Sequence, residues 1–583
     1  LRTDRDLTRV TSPGIKRLDG GRRPGDGVPL AGVHPAWRVE TIRPEGFEPR
    51  VGSMLLLPDG RLLVGTFDPL QRDDRSLPDI DSKPPDAIFA VTGWDTGDRD
   101  RITVTPVATD LYEPSGMCLL DGELYVAHRR QITRLLDRDG DGFFETHEPV
   151  AGGWEGWNYH QFVFCLVPGE PGTRTLRAAL STAMAPPAWE GMESNAGPNG
   201  PLRGSVIEVD VDSGRVRVFA GGTRTPNGLG LGPDGSLLVS DNQGTWFPTS
   251  VLSEVVDGRF FGHFNWTRFV PRLASRFPAG GHPSDWADRP VAAPAVLLPH
   301  GEVSNSPTVP LTIPTGPFAG QLLLGELTAG GLRRIMLERV AGQLQGAVFR
   351  HTQGLESGVN RMVMADDGSI LLGGIGAGGN WNWRETRFGL QRLVPTGEIA
   401  FEIAAMRATP EGFRVSFTRP VDRDWLADPR NHELRQWRYE PTAAYGGPKL
   451  DEQSLRVVEA RPSADGLQVD LIVPGLREGF CVHLRSDAVS IDGETILSPE
   501  AWYTLNRIPR SRPDEQQRVI DALLADRPRE DGVGVGVLPP PGAAPLITRV
   551  GTPLMSFRGR PPVPADNRDQ DALIAADPWV GVG

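Results

Sequence analysis

The sequence predicts an all-β chain: a six-bladed β-propeller, then an immunoglobulin- or fibronectin-like β-sandwich, then a Pro/Gly-rich tail. Three observations predict it. First, a Gly-bearing turn feeding a short apolar strand recurs as LPDGRLLVG (57–65), LDGELYVA (120–127), TRTLRAALS (173–181), GPDGSLLVS (232–240), FAGQLLLGE (318–326) and ADDGSILLG (365–373). This is the hairpin signature, and its uneven, blade-sized spacing fits radial repetition of small sheets. A pair of sandwiches or a solenoid is the other architecture this texture permits. Second, Gly 70 and Pro 54 in 583 residues supply the many turns that short strands need. Third, the texture changes near residue 400. FRVSFTRPV (413–421), LQVDLIVPG (467–475) and FCVHLRS (480–486) alternate apolar and polar residues, as a two-layer antiparallel unit requires. The expected organisation is an N-terminal extension at 1–35, the propeller at 36–397, the sandwich at 398–509 and a linker or tail at 510–583. In that tail DALIAADP partly echoes DALLADRP, as the start of a further module would.

The totals exclude several function classes. Lys plus Arg 61 against Asp plus Glu 74 leaves a net charge of −13, so no nucleic-acid partner is expected. The three cysteines, Cys118, Cys165 and Cys481, form no CxxC and no CxxCH, which argues against a zinc ribbon, a dithiol redox site and covalent haem. No run approaches the ~20 apolar residues of a membrane-spanning helix. The opening LRTDRDLTRV has no signal-peptide pattern, which leaves the compartment open.

Four groups of residues can carry chemistry. DRDGDGFFETHE (137–148) matches the calcium-loop template, with Asp137, Asp139 and Asp141 at alternate positions, a backbone ligand at Phe143, Gly142 at the sharp turn and Glu148 at the twelfth place. Its flanks read as strands, so it is expected to be a structural calcium loop in a blade hairpin, with a solvated acidic turn as the alternative. His160, in GWEGWNYHQFVFCLV, stands where a polar loop enters an apolar strand and suits a general base. Its alternative is packing among Trp154, Trp157 and Tyr159. Arg224 with Asn227, Asn305 with Ser306, and Asn360 with Arg361 precede repeat strands, so a propeller brings them to one mouth. Arginine there suits a carboxylate or phosphate ligand, and a channel-lining network serves equally well. Trp381 and Trp383, in GGNWNW, are sugar-stacking or packed aromatics.

The order HQFVFCLV, GGTRTPNGLGLGPDGSLLVSDNQG, NRMVMADDGSILLGGIG resembles the soluble glucose/sorbosone dehydrogenase family. Within it the resemblance is to a subgroup of secreted bacterial proteins, on stretches such as SDNQGTWFPTS, GEVSNSP, GAVFRHTQGLESGVNR, YGGPK and AWYTLN. It covers roughly 36–508. It implies a six-bladed propeller that binds pyrroloquinoline quinone (PQQ) and calcium, oxidises a small sugar or aldehyde, passes electrons to a separate acceptor, and resides in the periplasm or outside the cell. By this resemblance His160 is the catalytic base and Arg224 stabilises charge on the quinone oxygen. Arg361 clamps cofactor carboxylates, Asn227, Asn305 and Asn360 contact the cofactor, and Asp241–Gly244 helps hold its calcium. The chain departs from the family at Thr225, where Asn is usual, and at Asp241, where Glu is usual. It also has no well-placed lysine, for which Arg333 or Arg334 stands in, and no haem module. Two readings from other classes remain: a carbohydrate-binding propeller without catalysis, and a hydrolase or lyase using Asp241 and Glu302.

Overall fold

The computed structural model describes residues 32–68, 86–154, 160–182, 202–263, 291–376, 381, 383–442 and 445–510. Expectations for 1–31 and 511–583 lie outside the described residues.

The six sequence copies fold alike: each supplies the second strand of one four-stranded antiparallel blade. These strands are Leu62–Thr66, Glu123–Ala127, Thr175–Leu180, Leu237–Asp241, Leu322–Glu326 and Ile370–Ile375. The turn before each needs a left-handed residue, and Gly60, Gly122, Gly172, Gly235, Gly320 and Gly368 occupy it with φ of 88, 81, 81, 80, 78 and 79°. The strand before each turn is the innermost of its blade: Val51–Leu56, Gly116–Leu120, Val163–Pro168, Gly228–Leu231, Pro307–Thr312 and Gly358–Met364. Each innermost strand packs on the next and the sixth packs on the first, which closes the ring. The closure is covalently staggered. The fourth strand of the sixth blade is Trp37–Thr41, from the start of the described chain, paired antiparallel with Phe388–Pro395 (Trp37↔Pro395 to Thr41↔Gln391).

A second β unit follows. One of its sheets comprises Ile403–Thr409, Gly412–Phe417, Gln468–Ile472 and Glu459–Pro462; the other comprises Glu500–Leu505, Phe480–Arg485, Glu433–Arg438 and Leu450–Leu455. Phe413, Val415 and Leu471 of one sheet share a core with Leu434, Val482, Leu484 and Tyr503 of the other. The second sheet is continuous with the fifth blade, because Gly346, Ala347 and Val348 pair with Thr504, Tyr503 and Trp502. This seam seats the unit on the propeller beside the fourth and fifth blades. Among the described residues no helix is long and apolar enough to cross a membrane.

The channel throat is braced by the side chains expected to hold a cofactor. Arg361 Nη1 donates to the carbonyl and side-chain oxygens of Asn227 (3.1 and 3.0 Å) and of Asn360 (2.8 and 3.1 Å). Its Nη2 donates to the carbonyl of Ser115 at 3.1 Å. Asn227 Nδ2 donates to Asn360 Oδ1 at 3.1 Å, and Asn360 Nδ2 to the carbonyl of Val51 at 2.8 Å. Burial lowers the Arg361 pKa, and this set of oxygens compensates the desolvated charge. Asn227, Asn360 and Arg361 are therefore spent largely on one another, tying four blades together.

Candidate functional site: the mouth at Arg224

Arg224 lies in the loop that leaves the third blade and enters the fourth. Its backbone is held at both ends: its N–H donates to Asp241 Oδ2 at 2.7 Å, and its carbonyl accepts the Thr182 N–H at 2.9 Å. Asp241 Oδ1 takes the N–H of Thr225 at 2.6 Å. Asp241 is thus a loop cap at the end of the blade's second strand. Burial pushes its carboxyl up to about 7, against the lowering effect of these N–H groups and of the Arg224 charge.

Arg224 is only 3% exposed, yet no carboxylate pairs with it. Nη1 donates to Thr225 Oγ1 at 3.2 Å and to the carbonyl of Gln243 at 2.9 Å, while Nε and Nη2 have no partner among the described residues. Three other buried arginines pair with carboxylates, Arg129 with Glu113 at 2.6 Å, Arg334 with Glu402 at 2.9 Å and Arg350 with Glu500, whereas Arg361, held by neutral oxygens in the throat, has none and its Nε is buried without a partner. Arg334, on Glu402, Gln321 and the carbonyl of Ala404, faces the second unit. Arg333 donates to the carbonyls of Val303 and Leu332. A cation this buried and without a carboxylate suits an anionic ligand. The side chain can lie there because residue 244 is glycine; a Cβ on Gly244 would meet Arg224 Nε at 2.0 Å.

His160 stands one hydrogen bond away. Its Nδ1 is 3.1 Å from the carbonyl of Thr182, which can only accept, so Nδ1 carries the proton. Its Nε2 then presents a lone pair toward Thr225 Oγ1 at 3.3 Å. Burial, helped by the Arg224 charge, pushes the imidazole down to about 3, so His160 is neutral at physiological pH. Thr225, one of the departures from the family pattern, therefore links Arg224 Nη1 to His160 Nε2. His263 lies close enough for Arg224 and His160 to lower its pKa further, although burial is the main cause. Its Nε2 is 3.2 Å from Thr245 Oγ1 and its Nδ1 has no partner. Its sequence context, without any metal-ligand spacing, carries no signal that marks it.

The fifth blade repeats the capping scheme. Glu326 Oε1 accepts the N–H groups of Asn305 (3.0 Å) and Ser306 (2.7 Å). Asn305 Oδ1 accepts the N–H of Gly301 at 2.6 Å, and its Nδ2 is buried without a partner. Trp381 stacks on Phe162 at 5.7 Å, and Trp383 Nε1 donates to the carbonyl of Leu355 at 2.9 Å. Glu302, considered alongside Asp241, pairs with Lys449 and accepts the Trp502 indole N–H at 3.0 Å, so it belongs to the contact with the second unit.

The 137–148 loop connects Gln131–Leu136 to Thr146–Gly152. Asp137, Asp139 and Glu145 bring one carboxylate oxygen each within 4.8 Å of one another, while Asp141 Oδ1 caps the N–H of Phe143 at 2.8 Å. Strand register puts Glu148 opposite Arg134, and Glu148 is held by Arg134 (2.5 Å) and Arg138 (2.6 Å). Glu145, absent from the expected ligand set, stands beside Asp137 and Asp139 instead.

No family model and no characterised protein sequence matches this chain. It is similar in structure to a putative oxidoreductase (glucose dehydrogenase) from Thermus thermophilus, at 17% identity and a TM-score of 0.42, over 61% of this chain and 100% of that one. It is also similar to the PQQ domain of pyranose dehydrogenase from Coprinopsis cinerea, at 11% identity and 0.41, over 62% and 96%. A third is the PQQ-bound aldose sugar dehydrogenase from Streptomyces coelicolor, at 16% and 0.38, over 62% and 99%. All three fall below 20% identity and a TM-score of 0.5, so the chemistry of the mouth rests on its own geometry.

Proposed function

We propose that the mouth is the active site of a PQQ-dependent oxidoreductase acting on a small sugar or aldehyde. The observation that carries this is the pairing of a buried arginine with open donors and a neutral, desolvated imidazole across one threonine hydroxyl. Arg224 fits an oxyanion-bearing cofactor, because it has no carboxylate partner and only its Nη1 is hydrogen-bonded among the described residues. Bound there, PQQ would supply the two-electron acceptor. Arg224 holds negative charge in place, and Thr225 orients both partners. His160 Nε2 is the atom that takes the proton of the substrate hydroxyl, while its Nδ1–H stays anchored on Thr182. Asn305 offers a further open donor, whereas Asn227, Asn360 and Arg361 support the site from the throat. A structural calcium at Asp137, Asp139 and Glu145 belongs to the same reading; its test is a melting temperature that falls on chelation.

Purified protein given PQQ and calcium is expected to carry quinone absorbance at one equivalent through gel filtration and to reduce a dye with some member of a sugar panel. His160→Ala is expected to keep the quinone and lose dye reduction. Protein that emerges without quinone sinks the proposal. A second reading, a carbohydrate-binding propeller without catalysis, is favoured by the mutual bonding of Asn227, Asn360 and Arg361. Sugar binding unaffected by added PQQ would select it.

A further inference from the structure

The second β unit reaches into this mouth. Thr442 and residues 445–449 lie along the tip of the fourth blade's loop 244–248. Trp246 N–H donates to the carbonyl of Thr442 at 2.8 Å, Gly446 N–H to that of Gly244 at 3.0 Å, and Gly447 N–H to that of Pro248 at 3.0 Å. Thr245 and Tyr445 form an antiparallel bridge. The approach is close: a Cβ on Gly446 would meet the Gln243 amide at 2.9 Å, and one on Gly447 would meet Pro248 Cβ at 2.7 Å. Trp246 has a φ of 65°, a left-handed conformation costly for tryptophan, so the surroundings hold the tip in shape. The segment is also anchored below. Lys449 pairs with Glu302 and lies 3.7 Å from the centroid of the Trp437 ring.

This contact delivers one side chain to the site. The Arg224 guanidinium carbon lies over the Tyr445 ring, 5.0 Å from its centroid. The cation has no carboxylate partner, so the ring is the electron-rich group of the second unit that faces it, in a desolvated setting where such contacts are strongest. Gly244 packs on the guanidinium, Thr225 and Gln243 fix Nη1, and Tyr445 covers it from the second unit.

We propose that Tyr445 is a positioning residue for Arg224, so that the ligand affinity of the propeller mouth depends on the second β unit. The inference rests on the reading that Arg224 meets the ligand, and it deepens that reading by making the site a joint product of both units.

The test uses the full chain with Tyr445→Phe, Tyr445→Leu and Tyr445→Ala, each checked for an intact melting transition. The first readout needs no ligand: the rate at which phenylglyoxal modifies Arg224, followed by peptide mass mapping. Tyr445→Ala and Tyr445→Leu are expected to raise this rate at least about fivefold, and Tyr445→Phe to leave it within about twofold, because phenylalanine keeps the ring. The second readout is PQQ affinity, expected to fall about tenfold in the leucine and alanine variants and to be rescued in the phenylalanine variant. Unchanged labelling of Arg224 in Tyr445→Ala overturns the proposal, as does a leucine variant indistinguishable from wild type, since bulk alone would then suffice. If labelling responds as expected while wild-type protein binds no PQQ, Tyr445 keeps its role and the quinone reading falls.

Discussion

At the entrance to the fourth blade Asp241 accepts the N–H groups of Arg224 and Thr225; at the entrance to the fifth, Glu326 accepts those of Asn305 and Ser306. The two carboxylates end equivalent strands, LLVSD and LLLGE, and burial raises the pKa of both. One plan therefore serves both entrances, and the carboxylate belongs to the scaffold. What differs is the side chain that the cap holds out. The fifth blade presents a neutral amide, its oxygen satisfied locally by Gly301 and its Nδ2 open, whereas the fourth presents a cation without a carboxylate partner. A repeated capping device thus fixes the backbone twice, and the residue type decides which entrance acquires chemistry.

The largest expected effect sets the entrances apart. Arg224→Met should weaken PQQ binding by about a hundredfold, as loss of one partner of a buried charged contact does, while Asn305→Ala should change it less than about threefold. Equal losses in titration would mean that the entrances work alike.

Removing the caps tests their common role. Asp241→Asn and Glu326→Gln should each cost about 2 kcal/mol in urea unfolding, because an amide sets an NH2 against a backbone N–H. Asp241→Asn alone should also weaken ligand binding, since it alone releases Arg224. A glutamine variant as stable as wild type would remove Glu326 from this scheme.

The pH response separates the two sides further. Burial holds His128 and His160 at about 3 and His300 at about 4, below the ordinary 6.5. As pH falls from about 6.5 toward about 4, the unfolded chain takes up protons that the folded chain refuses, and stability drops. Asp241, raised to about 7, has the opposite sign: its contribution falls as pH rises from about 4 to 7. The melting temperature should therefore decline on acidification below pH 6.5. His300, whose ring nitrogens are both buried without partners, should allow His300→Leu to flatten that decline and add about 1 kcal/mol of stability at pH 7. A pH profile identical to wild type would contradict a neutral buried His300.

The smallest effect concerns Thr225. Thr225→Val should lower turnover about threefold, with Thr225→Ser restoring it, because the hydroxyl links His160 to Arg224 without binding either strongly. Rates that ignore the hydroxyl would show that the two residues act separately.

The blades were legible because each repeats a local rule, a left-handed glycine turn before an apolar strand, and no long-range information is needed to see it. Arg224 and His160 were legible as residues at strand entrances. Their connection through Thr225 was not, since it depends on how two blades abut. The same limit explains Arg361: its position before a repeat strand marks the mouth equally well, but only the ring places it where Asn227 and Asn360 absorb its donors. Glu148 shows the limit at short range, where a metal-loop spacing is indistinguishable from a hairpin until strand register sets it against Arg134. Tyr445 was visible only as part of YGGPK, with nothing local to say that it would reach another unit.

The strand Trp37–Thr41 has a consequence for how the ring is made. It is synthesised before any blade, and its partner Phe388–Pro395 comes after all the others. At ordinary translation speeds the ribosome takes roughly half a minute to cover that interval. Throughout it the early strand is an unclaimed edge, open to wrong pairing within the nascent chain or with a neighbour on the same message. Ring closure thus waits until the last-made blade has emerged, when the first-made strand is locked to it, and a chain cut short before that strand is complete would leave Trp37–Thr41 without its full partner.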